Sequence, residues 1–144
     1  MRIDGAWFVC DDGGLRPIIR GKVRTADGAL VETPFLLDTG ADRTVFSAAI
    51  LVELGLSHLA PPNELAGVGG VADSVLVETV IQLPLDVGGK AAFRGRFAAF
   101  TNPSSLDMSV LGRDITNLFA GIVDRPRDVV CLLGQRHKYV IQVV

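Results

Sequence analysis

Short apolar runs, alternating with polar positions and broken by turn formers, recur along this chain and predict a mostly β protein. Pro17 to Val23 reads as a strand, Thr25-Ala26-Asp27-Gly28 as a hairpin turn, and Leu30 to Leu37 as the return strand. Pro34 lies within that return strand and donates no ladder bond, which predicts an edge position or a bulge. Val75 to Leu85 alternates as a long strand with Val75, Val77, Thr79, Ile81 and Leu83 on one side. After the turn Asp86-Val87-Gly88-Gly89, Ala91 to Phe100 returns, with Phe93 and Phe97 opposite Arg94 and Arg96. A 3.6-residue spacing replaces alternation twice. Ser47 to Leu54 predicts a helix capped by Ser47 and stopped by Gly55. A second helix opens at Arg113-Asp114, with Ile115, Leu118, Phe119 and Ile122 on one face. Val129 to Leu133 and Tyr139 to Val144 read as two closing strands.

Composition narrows the class. The 144 residues suit one domain spanning 1–144, and the 49% apolar content supports a core without disulfides or metal. With 14 Lys+Arg against 16 Asp+Glu there is no basic block for nucleic acid or an anionic membrane. The N-terminus lacks the apolar run of a signal peptide, and no stretch approaches a membrane span, so a cytoplasmic location is expected. Cys10 and Cys131 show neither metal-ligand spacing nor a disulfide framework. Cys10 has no cation beside it in the sequence, and Cys131 reads as a small core residue. His58 and His137 stand apart from other ligand types, so no metal or cofactor is expected.

The chemistry concentrates in Phe35-Leu36-Leu37-Asp38-Thr39-Gly40-Ala41-Asp42. A carboxylate leaves an apolar strand, followed by a hydroxyl and by a glycine that admits close backbone approach. An Asx turn capped by Asp38 is the competing, purely structural reading. Two further motifs follow in order: the glycine-rich Gly67-Val68-Gly69-Gly70, and Val110-Leu111-Gly112-Arg113-Asp114 opening the second helix.

This ordered trio closely resembles the retropepsin family of aspartic proteases, over roughly Pro17 to Val123. The resemblance implies a retropepsin-like acid-protease barrel with a flap hairpin and one or two short helices. It implies an endopeptidase acting on polypeptides as a homodimer, in which Asp38, Thr39 and Gly40 form the catalytic motif of each copy. The two Asp38 carboxyls would share a proton and activate one water, while the two Thr39 hydroxyls bond across the axis. Substrate contact falls to Leu36, Ala41, Asp42 and Val110, and to Gly67, Val68 and Gly69 of the flap. The resemblance also pairs Asp42 with Arg113.

Some features depart from the viral pattern. Arg43 stands where a second acid is common, the helix after the active-site strand is longer, and two strands follow the second helix. Viral dimers close by interleaved terminal strands, so the interface is the least transferable feature, and the pattern is nearer to bacterial single-domain members. Leu85-Asp86-Val87-Gly88 imitates a second apolar-Asp-x-Gly motif, but Val87 lacks the hydroxyl and a hairpin turn explains it. Trp7 and Phe8 read as packing residues or as part of a dimer seam. The functional alternative is a retropepsin-fold dimerisation or peptide-binding module with weak or no turnover.

Overall fold

The computed structural model describes residues 1–59, 63–67, 70–134 and 142, with backbone alone at 63–67 and 70–72. Its strands are β1 (Arg2–Asp4), β2 (Ala6–Val9), β3 (Leu15–Arg24), β4 (Leu30–Leu37), β5 (Val45–Phe46), β6 (Asn63–Gly67), β7 (Gly70–Pro84), β8 (Lys90–Phe100), β9 (Ser109–Leu111), β10 (Ala120–Asp124) and β11 (Val129–Leu133). Among the described residues, helices α1 (Ala48–Leu54) and α2 (Arg113–Thr116) interrupt them. One sheet runs β2-β3-β4-β9-β5-β8-β7-β6, and a further pairing of β3 with β7 curls it into a barrel. A second sheet runs β1-β11-β10. The mostly β, retropepsin-like barrel expected from the sequence is present.

The hairpin of β3 and β4 is closed by a turn in which Asp27 accepts the Ala29 N–H at 3.1 Å and Gly28 sits at φ 88°. Pro34 pairs with Arg20 on one side, while the parallel ladder from β4 to β9 starts only at Phe35. The proline therefore falls where its missing donor breaks no bond to β9. Along β7, the alternate residues Val75, Val77, Thr79, Ile81 and Leu83 are buried, as the alternation requires. Phe46 packs between Phe35 and Phe97, with ring centroids 6.1 and 5.8 Å away, and fills the barrel under β4, β5 and β8. The Ser47 hydroxyl accepts the Ile50 N–H and caps α1. Leu85 to Gly89 form a tight turn, closed by the Leu85 N–H on the Gly89 carbonyl at 3.1 Å.

Two expectations are corrected. The second helix stops at Thr116 instead of continuing through Leu118, Phe119 and Ile122. From Ala120 onward the chain pairs with β11 in full register, Ala120↔Leu133 to Asp124↔Val129. Gly121 weakens a helix there, and the β-branched Ile122 and Val123 favour the strand. Cys10 also acquires a cation, because the β2–β3 hairpin brings Arg16 into electrostatic reach of its buried thiol. Cys131 is a core residue as expected, and burial pushes its thiol pKa up. The Tyr139 to Val144 strand lies outside the described residues. Among the described residues no helix is long and apolar enough to cross a membrane.

The N-terminal strand is fastened to its own chain. The Arg2 N–H donates to the Asp86 carboxylate at 2.7 Å, and the Asp86 N–H donates to the Arg2 carbonyl at 2.9 Å. The first of these bonds holds the Asp86 pKa below the ordinary carboxylate value. A lowered folded-state pKa contributes stability above the unfolded value, and that contribution is lost as pH falls through the folded pKa. The thermal midpoint is therefore expected to fall as pH drops from about 5 towards about 2, and to fall less steeply in Asp86→Asn. Phe46→Ala is expected to destabilise the barrel by about 4 kcal/mol in urea unfolding.

Candidate active site

Asp38 stands just past the end of β4, where Leu37 is buried and Leu36 faces outward on the same side as Asp38. Its backbone N–H donates to the Leu111 carbonyl of β9 at 3.3 Å, which extends the parallel ladder by one bond. The carboxylate is half-buried, and its Oδ1 accepts the Gly40 N–H at 2.9 Å. The Asx turn and the candidate catalytic carboxylate are thus the same object: the turn aims the acid. Among the described residues no donor reaches Oδ2. A Cβ on residue 40 would lie 3.1 Å from Oδ1, so any larger residue there would push the carboxylate aside by a few tenths of an ångström. Thr39 is exposed beside it.

The loop from Asp38 to Thr44 has no regular structure and is shaped by the segment from β9 into α2. Arg113 N–H donates to the Ala41 carbonyl at 2.8 Å, and Asp114 N–H to the Asp42 carbonyl at 3.2 Å. The Asp114 carboxylate accepts the Thr44 N–H at 2.9 Å and the Thr44 hydroxyl at 2.7 Å. That hydroxyl in turn accepts the Gly112 N–H at 3.1 Å. Gly112 lies so close that a Cβ there would come 2.3 Å from the Arg43 carbonyl carbon and oxygen. Its φ of −92° is ordinary, so the requirement for glycine at 112 is contact and not conformation.

Arg113 also reaches the Thr39 carbonyl at 3.4 Å and forms the expected ion pair with Asp42. The two side chains are 46% and 80% exposed, so the pair by itself stabilises the protomer by less than about 1 kcal/mol. Ala41 lies in the same loop. Val110 pairs with Leu36 in β4 and with Val45 in β5, and is largely buried. Gly67 pairs with Gly70 at the end of the flap hairpin formed by β6 and β7, and Val68 and Gly69 lie outside the described residues. Among the described residues no group of His, Cys, Asp or Glu is arranged to hold a metal ion.

Thr44 and Asp114 are the residues that reading the sequence missed. Asp114 was read only as opening the second helix; it is also the acceptor for Thr44. The available signal was a hydroxyl opening the apolar run Thr44-Val45-Phe46, and an acid directly after Arg113.

A barrel whose first long hairpin ends in a carboxylate loop, braced from beneath by a Gly-Arg-Asp segment, defines a retropepsin-like domain. The chain belongs to the aspartyl protease family, whose family model matches residues 19–136. It is similar in structure to a retropepsin-like aspartic protease from Rickettsia conorii, with a TM-score of 0.56 and 18% identity, covering 92% of this chain and 97% of that one. It is also similar to EIAV protease in an inhibitor complex, with a TM-score of 0.49 and 23% identity, covering 71% and 86%. No curated protein is matched by sequence.

The brace makes a testable demand. Asp114→Ala leaves the buried Thr44 hydroxyl and N–H without their charged acceptor, and is expected to destabilise the fold by about 2 kcal/mol in urea. Asp114→Asn keeps an acceptor oxygen and is expected to lose less than half of that.

Proposed function

We propose that the chain is an endopeptidase that hydrolyses peptide bonds in extended polypeptides, and that residues 1–144 act as one catalytic unit. A single protomer supplies one Asp38, so the working site needs a second copy facing it. Two such carboxyls held close cannot both ionise readily, and share one proton. The ionised carboxylate takes a proton from the bound water as its oxygen attacks the scissile carbonyl carbon, while the protonated partner donates to the carbonyl oxygen. The tetrahedral adduct then collapses: the C–N bond breaks, a proton passes to the leaving amine, and a carboxylic acid and an amine are released. Thr39 is exposed beside Asp38, and in this reading its hydroxyl bonds its counterpart and holds the pair. Leu36 and Val110 supply apolar lining, and Ala41 and Asp42 offer backbone to the substrate. Gly67, Val68 and Gly69 close over the substrate from the flap. An apolar preference around the cleaved bond follows from that lining.

The observation that carries this reading is the Asp38 carboxylate itself. One oxygen is held by Gly40, and no donor among the described residues occupies the other. An acid kept only to cap a turn gains nothing from an adjoining exposed hydroxyl and a brace reaching it from the far end of the chain. Asp38→Asn preserves the turn and removes the titrating group. It is expected to lower kcat/KM on an extended apolar peptide by about 10³-fold or more, with circular dichroism and solution mass unchanged. Undiminished cleavage in this variant would overturn the assignment; a fully folded wild-type dimer without any peptidase activity would favour a binding module instead.

A further inference from the structure

Residues directly opposite each other in an antiparallel sheet share a face. Lys22 of β3 pairs with Glu32 of β4 on one side and with Gln82 of β7 on the other, and Gln82 pairs with Ala92 of β8. This row faces outward, because the alternate positions Val23 and Ile81 are in the core. By the same alternation Arg20 and Arg24 of β3, and Lys90, Arg94 and Arg96 of β8, lie on that outer face, and all of them are exposed. No basic run marks them in the sequence, since they sit at alternate positions of two strands that β7 joins only in the fold. The face gathers six of the chain's 14 Lys and Arg, against Glu32 and Glu78 of its 16 Asp and Glu. In a chain of net charge −2 this is a concentrated positive field. Among the described residues Lys22 alone of the six has a carboxylate partner, Glu32 at 3.4 Å.

A cavity of about 310 Å³ opens on this face. Arg20, Lys22 and Lys90 stand around it, Leu30 and Pro84 give it apolar walls, and Gln82 borders it. Gln82 is 7% exposed, and its carboxamide makes no hydrogen bond to any described residue. Burial without a partner is costly for an amide. A carboxamide that borders a cavity ringed by three cations is matched by a ligand that accepts its N–H and carries negative charge. A carboxylate does both, and the apolar walls suit the methylene groups of an acidic side chain. Glu32 on the rim selects between kinds of polyanion. It opposes an unbroken run of phosphates, whereas a polypeptide carries discrete carboxylates and can present backbone N–H groups to it.

We propose that this face docks an acidic segment of the polypeptide substrate, with one carboxylate entering the cavity to accept the Gln82 N–H and further acids meeting Arg24, Arg94 and Arg96. Glu32 precedes Asp38 by six residues, about 20 Å along an extended strand, a span that a short stretch of substrate covers. The inference rests on the hydrolase reading and names a substrate class for it: polypeptides with an acidic block set apart from the bond that is cut.

The test separates docking from cleavage. A fluorescein-labelled hexaglutamate peptide is titrated into the Asp38→Asn protein at low salt, and anisotropy is expected to report binding. The double variant Lys90→Glu, Arg94→Glu, changed at two exposed side chains, is expected to weaken that binding by at least about 10-fold. Gln82→Leu is expected to weaken it by about 10-fold through the lost hydrogen bond to a charged group. Circular dichroism is expected to be unchanged in both. No binding of hexaglutamate, or binding that neither variant weakens, overturns the site. Tighter binding of labelled hexathymidylate than of hexaglutamate overturns it in favour of a nucleic acid. In the wild-type protein, adding six glutamates to an apolar peptide substrate, about six residues from the cleaved bond, is expected to lower KM by about 10-fold at unchanged kcat. The Lys90→Glu, Arg94→Glu variant is expected to lose that advantage. Equal KM values for the two wild-type substrates overturn the role in substrate choice. Hexaglutamate binding by a wild-type protein that cleaves neither substrate leaves the docking face standing and removes the hydrolase reading.

Discussion

The loop that carries Asp38 cannot hold its shape alone. It leaves β4 at Leu37, makes two internal bonds, the Gly40 N–H on the Asp38 carboxylate and the Ala41 N–H on the Asp38 carbonyl, and has no further ladder until β5 begins at Val45. What shapes it is contact with the Leu111 to Asp114 segment, through the Leu111 carbonyl, the Arg113 and Asp114 N–H groups and the Asp114 carboxylate on Thr44. Thr44 is fully buried, so its hydroxyl and N–H must find partners in the fold, and Asp114 with Gly112 satisfies both. Each of these bonds ties the loop to β9 or α2, and both are anchored in the barrel. The local turn therefore aims the acid, and the core fixes where the turn sits.

The same segment also sets the path of the chain beyond the site. Gly112 permits backbone contact with Arg43, Arg113 reaches Thr39, and α2 ends after four residues so that the chain emerges as β10. A longer helix would have turned Ile122 and Val123 towards other surroundings. The short helix lets the chain pair with β11 from Ala120 onward.

Most of the barrel was legible in the sequence because alternation is a local signal. β3, β4, β7 and β8 fall where apolar and polar positions alternate, and α1 lies between its cap Ser47 and its stop Gly55. The Asp38 motif was legible for the same reason, being contiguous. The brace was not. Thr44 and Asp114 are 70 residues apart, and no spacing rule marks a hydroxyl and an acid that meet only after the chain has closed. The second helix was over-read because Ile115, Leu118, Phe119 and Ile122 satisfy a helical period by coincidence. Pairing with β11, which lies later in the chain, takes the second half of that run. Arg16 beside Cys10 is another case in which a hairpin supplies a neighbour absent from the linear order.

The most direct test of a shared acid pair is a mixing experiment. Wild-type protein is combined with increasing fractions of Asp38→Asn at constant total concentration, after exchange of subunits, and peptidase rate is measured. If both carboxyls are needed in each site, every mixed pair is inactive and the rate falls as the square of the wild-type fraction. A rate that falls in simple proportion to the wild-type fraction would mean that each copy works alone, contradicting a site built from two.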